Sequence, residues 1–211
     1  MIEIRSNAFN SCSGLTSITI PSTVTEISIG AFGYCSSLTT ATLAEGVTTI
    51  GDWAFSYCSG LTSVAIPSSV TSIVGRAFYG CSALTSVTIP EGVSSIGNNT
   101  FWGCSSLTSV TIPLSVTSIG NWAFSGCSSL TSVTIPSSVT SIGDEVFYGC
   151  YNLTLITFEG NPPTSVGSSA FPASNTNLVG YYLTEHTTAW EAVITDGKWN
   201  GITMQKLSTE N

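Results

Sequence analysis

The chain has 211 residues, only 8% of them charged, and a formal net charge of −8. Lys and Arg together number 4, so no basic patch can form, and nucleic acid and anionic membrane surfaces are excluded as partners. No apolar run approaches the ~20 residues that a spanning helix needs, so no membrane insertion is expected, while the length is ample for a large buried core.

The first residues fall in mid-repeat, with Met1 in the column of Val24 and Ile4 in that of Ile27. This reads as a C-terminal piece of a longer protein. From there seven cysteines, Cys12, Cys35, Cys58, Cys81, Cys104, Cys127 and Cys150, recur at a constant step of 23 residues. Phe9, Phe32, Phe55, Phe78, Phe101, Phe124 and Phe147 keep the same step, three residues earlier. A fixed period of this length predicts a solenoid, in which each coil buries its apolar face against its neighbours.

One repeat, from Leu61, reads LTSVAIPSSVTSIVGRAFYGCSA. Val64 and Ile66 alternate with polar residues, as a strand with one buried face requires. Pro67 ends the strand because it has no N–H for the ladder. Val70 to Ile73 is a second short extended piece, and Gly51 to Cys58 in the preceding repeat reads as one helical or 3₁₀ turn. At ~4.8 Å per stacked strand, about seven coils make a sheet roughly 30 Å long. Equivalent cysteines on adjacent coils would lie ~4.8 Å apart with parallel Cα–Cβ vectors, whereas a disulfide needs converging Cβ atoms ~3.8 Å apart. All seven are therefore expected to be free, buried thiols acting as small apolar residues with a weak S–H donor.

The L-x-x-V-x-I-P strand, the I-G-x-x-A-F-x-x-C turn and the 23-residue period carry a resemblance to the leucine-rich repeat superfamily, specifically its BspA-like bacterial branch, over residues 1–158. The resemblance implies a leucine-rich-repeat solenoid: a right-handed coil with a parallel β-sheet on one face and short helical or 3₁₀ turns on the other. It further implies a secreted or cell-surface protein, an adhesin or binding module of protein or glycan, with no enzymatic role.

After Phe158 the pattern breaks, and residues 159–211 read as a degenerate last repeat followed by a small α+β C-terminal cap. Ala170 and Phe171 keep the A-F pair after a one-residue insertion, and Ser174 takes the cysteine column. LVGYYL at 178–183 is a last strand, 187–194 a helix with Trp190 and Val193 on one side, Asp196-Gly197 a turn, and 201–207 a closing strand. The final STEN is expected to be disordered. Such a segment would seal the last coil from water.

The strand columns that face outward are nearly constant. One reads Ser17, Thr40, Ser63, Ser86, Ser109, Ser132; the next reads Thr19, Thr42, Ala65, Thr88, Thr111, Thr134, Thr157. A third, on the second extended piece, reads Thr25, Thr48, Thr71, Ser94, Thr117, Thr140. Small hydroxyls are ordinary on strands, but uniform rows also match an ice or surface lattice, the alternative function. The variable columns flank the Phe–Cys turn, where bulky aromatics occur without hydrophobic periodicity and are expected at least partly exposed. The candidate ligand-binding residues are accordingly Trp53, Tyr57, Arg76, Tyr79, Trp102, Trp122 and Tyr148, since exposed aromatics mark interfaces and stack on sugar rings. No catalytic, cofactor or metal residue is expected: His186 is the sole histidine, and no P-loop, G-x-S-x-G or calcium-loop spacing occurs. The expected partner is an extracellular protein or glycan, bound by a monomer.

Overall fold

The computed structural model describes residues 2–172 and 175–207. The strand predicted from the V-x-I alternation forms in every repeat. Nine such strands stack in one column: Ser17–Ile20, Thr40–Leu43, Ser63–Ala65, Ser86–Thr88, Ser109–Thr111, Ser132–Ile135, Leu155–Phe158, Val179–Leu183 and Ile202–Leu207. They pair in parallel in three hydrogen-bonded runs, and each pairing keeps repeat register, as in Ser17 with Thr40 and Thr40 with Ser63. The last two strands come from the C-terminal segment, so the sheet extends past the conserved repeats. The second extended piece builds its own parallel stack, from Ile2–Ile4 and Val24–Ile27 through Ser165–Val166. Its first pairing contains a register shift: Ile2 sits opposite Val24 and Ile4 opposite Ile27, while Met1 lies outside the described residues.

The third side of each coil differs from expectation. The Gly51–Cys58 stretch is a chain of tight turns, and no helix or 3₁₀ turn forms there. The reason is backbone conformation. Two positions per coil, two residues before and two after Phe, have positive φ: Trp53 at 58° and Tyr57 at 55° in one coil, Trp122 at 54° and Gly126 at 76° in another. Left-handed residues at this spacing stop a right-handed helical turn from propagating. They also aim alternate N–H groups at the following coil, so Phe32 N donates to the Ala54 carbonyl and Phe55 N to that of Ala77, both at 2.8 Å. On the strand sides donors reach both neighbours, as from Gly51 N to the Ile27 carbonyl of the preceding coil at 2.8 Å and from Ile89 N to the Thr111 carbonyl of the following one at 3.2 Å. Each coil is thus bonded on both sides, and the buried backbone is satisfied without helices.

The core is a set of one-residue ladders. Phenylalanine rings from Phe9 to Phe147 and on to Phe171 stack with centroids 5.1 to 6.1 Å apart. Beside them the cysteines are free, and each Sγ from Cys35 to Cys150 donates to the carbonyl of the phenylalanine one coil earlier at 3.1 to 3.3 Å. Six of the seven are buried; Cys12, in the first described coil, is exposed, which corrects the expectation of seven buried thiols.

In the C-terminal segment the Trp190 side chain is buried and its indole N–H donates to the Gly160 carbonyl at 2.9 Å. Trp190 and Trp199 pack on Phe158 at 4.9 and 5.4 Å. The predicted helix is shorter, a 3₁₀ turn over Thr184–His186 and an α-helix over Thr187–Glu191, so Val193 lies beyond it and is exposed. Asp196 and Gly197 turn the chain with φ of 51° and 73° into the antiparallel pair Lys198–Trp199 and Ile202–Leu207. Ser174 and the final four residues lie outside the described residues.

Burial raises the Cys58 and Cys150 thiols from 9.0 to about 12, with the neighbouring Cys35 adding to the effect at Cys58. A thiol reagent at neutral pH should therefore label one cysteine in the folded protein, Cys12, and seven after denaturation. Because the folded state holds these protons more tightly than the unfolded chain, the stability they confer is complete below about pH 9 and is lost as pH rises toward 12. Melting temperature should fall steeply above pH 9. Labelling of several thiols in the native state, or a melting temperature flat to pH 11, would contradict the ladder.

Deleting residues 177–211 should leave Leu153, Ile156 and Phe158, all buried in the intact chain, at an open apolar end. Gel filtration and calorimetry should show aggregation or loss of the cooperative transition. A monomeric truncation of equal stability would make the segment an independent appendage.

Candidate functional site

The turn side of the solenoid carries the variable residues, and the two left-handed positions decide where they point. Glycine suits such a position, and Gly30 holds one at φ 62°. In the equivalent place other coils have Trp53, Arg76, Trp122 and Glu145, all with φ between 52° and 61°. Each of these side chains is held at a backbone cost of about 1 kcal/mol or more. Tyr34 and Tyr57, at φ 60° and 55°, occupy the second left-handed column, which is glycine at 80, 103, 126 and 149.

These columns form one row along the edge. Tyr34 stacks on Tyr57 at 4.8 Å, Tyr57 meets Tyr79 edge-on at 5.2 Å, and Tyr79 stacks on Trp102 at 4.5 Å with planes 9° apart. Trp53 joins from the side, 5.2 Å from Tyr79, and the Arg76 guanidinium lies 5.2 Å from the Trp53 ring centre. Arg76 also pairs with Asp52 at 3.7 Å. Burial, then the interaction with Tyr57, pushes the Tyr79 phenol above its ordinary 10.0, so it stays neutral. Among the described residues no ring pair continues the stack from Trp102 to Trp122. An open groove of ≈ 430 Å³ lies there instead, walled by Trp102, Trp122, Tyr148 and Tyr151, with Glu145 and Ser128 at its side and Gly126 and Gly149 beneath. A second, smaller groove of ≈ 240 Å³ adjoins Tyr34 and Trp53.

The structure thus brings together all seven residues singled out from the sequence on one edge. Trp102 is 36% exposed, Trp122 38% and Tyr148 56%, while Trp53, Arg76 and Tyr79 are half-buried. The expectation that both flanking columns are exposed needs correction, because Ser56 and Ser125 are buried at 1% and 3%. Those two coils carry tryptophan three residues earlier, at Trp53 and Trp122. Where that position is Arg76, Asn99 or Glu145, the residue after Phe is Tyr79, Trp102 or Tyr148. Each of the five coils from Phe55 to Phe147 supplies one ring from one column or the other, a pattern readable in the sequence as a compensation. Tyr34 and Tyr151 were not singled out. The signal for Tyr34 was its shared column with Tyr57, and for Tyr151 its place in a column otherwise serine, as at Ser105 and Ser128.

The edge offers stacking surface and hydrogen-bonding groups. Three of its polar residues are engaged between coils: Asn98 Oδ1 accepts from Asn121 N at 2.8 Å, Asn121 Oδ1 from Asp144 N at 2.9 Å, and Asp144 Oδ1 from Ser168 N at 2.7 Å. His186 lies in the C-terminal segment, with Nδ1 2.9 Å from Asn161 Oδ1 and Nε2 3.6 Å from Glu185. Among the described residues no three His, Cys, Asp or Glu gather as a metal site, and no helix is long and apolar enough to cross a membrane.

The model of the BspA type leucine-rich repeat region matches residues 2–127 and 71–192, with 6 copies. A leucine-rich repeat protein from T. pallidum has 29% identity and a TM-score of 0.73, over 90% of this chain and 86% of that one. One from Bacteroides ovatus has 30% identity and a TM-score of 0.65 over 86% of this chain, which spans 59% of that protein. A leucine-rich cell surface protein from Faecalibacterium prausnitzii has 29% identity and a TM-score of 0.54, over 98% and 69%. No curated protein sequence matches the chain. Strand register, turn chemistry and a family match from residue 2 to residue 192 make this chain a member of the BspA-type leucine-rich repeat family.

Proposed function

We propose that this chain is a noncatalytic binding module of a secreted or cell-surface protein, recognising an extracellular protein or glycan through its aromatic turn edge. The observation that carries the reading is the row of exposed and half-buried rings, one or more from each coil between Tyr34 and Tyr148. Exposed aromatics in contiguous patches are uncommon on soluble surfaces and are enriched where binding energy concentrates. Several are held in left-handed backbone, where glycine would be cheaper; such strain marks positions kept for their side chains. The sheet carries little comparable information, because its outward columns repeat Ser and Thr. The similarity to a protein described as a cell surface protein supports the location.

A second reading uses that sheet. Thr19, Thr42, Thr88, Thr111 and Thr134 are exposed, and neighbouring strands hold them in register, a regular array suited to an ice or mineral lattice. The third row, by contrast, satisfies itself: Thr48 donates to the Thr25 carbonyl at 3.1 Å and Thr117 to that of Ser94 at 3.3 Å.

Ligands identified by pull-down and glycan-array screening should lose affinity when Trp53, Trp102 or Trp122 is replaced by Ala, by ~2 kcal/mol or more at a hot-spot ring. Thr88→Tyr and Thr111→Tyr should leave that binding intact. Loss of binding, or of thermal hysteresis, only on the threonine changes would move the site to the sheet.

A further inference from the structure

Resting on the edge as the binding surface, we propose that the groove between Trp102 and Trp122 is a subsite for one pyranose unit of a neutral glycan chain. The stack that runs from Tyr34 to Trp102 stops there, and the coil spacing leaves a slot where the next ring would lie. Its volume, ≈ 430 Å³, falls within the range of small-ligand sites. Trp102, Trp122 and Tyr148 line the slot, and aromatic rings stack on the C–H face of a flat, equatorially substituted sugar. Glu145 adds a carboxylate that accepts from sugar hydroxyls. The Ser128 hydroxyl donates to the Ser105 carbonyl at 3.3 Å, which leaves its lone pairs to accept from the ligand.

Charge selects against anionic glycans. The chain has a net charge of −8, Glu145 stands at the groove, and Arg76 is engaged by Asp52 and Trp53. Shape selects against a globular protein partner. A stable protein interface buries ~800 Å² on each side, whereas the row is about one ring wide and flanked by glycine and serine. The groove is open, so a chain can pass through one sugar at a time.

The glycine column beneath leaves the slot unfilled, whereas a tyrosine in that column covers the glycine of the next coil. Tyr57 lies across the next coil's glycine, such that a Cβ at Gly80 would meet the Tyr57 ring at 2.9 Å. Gly126 is the same column two coils beyond Gly80. A Cβ there meets its nearest neighbour, the Gly103 backbone, at an ordinary 3.4 Å, and Tyr57 shows that a tyrosine tolerates the conformation. Gly126→Tyr should therefore fold and fill the groove over Gly149.

The test titrates the intact chain with cellohexaose and xylohexaose, following tryptophan fluorescence and heat, with circular dichroism confirming the fold of each variant. Binding should be insensitive to salt, weaken roughly 30-fold in Trp122→Ala, be lost in Gly126→Tyr and persist in Thr88→Tyr, on the sheet face away from the edge. Binding that survives Gly126→Tyr but is lost in Trp53→Ala would keep the edge as the binding surface and overturn the subsite. Absence of binding to either oligosaccharide at millimolar concentration would also overturn it. So would capture of a protein ligand sensitive to Trp122→Ala, which would leave the edge reading standing.

Discussion

Each coil of this molecule has to satisfy its backbone through its neighbours, because it contains almost no structure that could do so alone. Strands of two to six residues and turns with two left-handed positions have few internal hydrogen bonds. Their donors and acceptors lie on the coil's flat sides, and only a coil of the same shape at the next level can meet them. That constraint holds the period constant, at 23 residues from Phe9 through Phe147. It also makes every interior position a column, and the ladders of Phe, Cys, Leu and Ile follow from it. A residue stacked on copies of itself must be compatible with its own shape. Flat rings stack offset, small thiols leave room for a carbonyl acceptor, and branched aliphatics interlock.

The same constraint separates what varies from what is constant. The strand sides are pinned by parallel pairing and tolerate Ser and Thr with little change. On the turn side, the left-handed positions direct side chains away from the core, and the coil-to-coil bonds run through the backbone and the inner Asn, Asp and Cys side chains. A bulky ring there costs local strain without disturbing the frame. This is why variation collects beside the Phe–Cys pair, and why a row of rings can be assembled from coils that are otherwise interchangeable.

Most of the frame was legible because it is periodic. Val64 and Ile66 alternate, Pro67 punctuates, and Phe and Cys recur without a slip, so strands, core and coil order could be read directly. The turn conformation was not, because Ala54, Phe55 and Cys58 sit at helical spacing while the departure from helix lies in the φ of Trp53 and Tyr57, and tryptophan and tyrosine announce no left-handed preference. The ring row was half legible. Its members stood out as breaks in the columns, but the groove depends on the absence of a ring between Trp102 and Trp122, and an absence appears only once coils are stacked. Val193 was misplaced for a local reason: the helix ends at Glu191, before the turn at Asp196 and Gly197.

From Phe55 to Phe147 the coils are equivalent frames, each with room for one ring beside Phe, either two residues before it or one after it. Coil interchange tests this equivalence most directly. Ser125→Trp adds a second ring beside Trp122 and should cost ~1–3 kcal/mol by overpacking. Adding Trp122→Asn to that variant reproduces the Asn99 and Trp102 arrangement one coil earlier and should restore most of the stability, measured as the coupling energy of a double-mutant cycle in denaturant unfolding. Losses that simply add would show that the two columns do not share a space and would contradict the account.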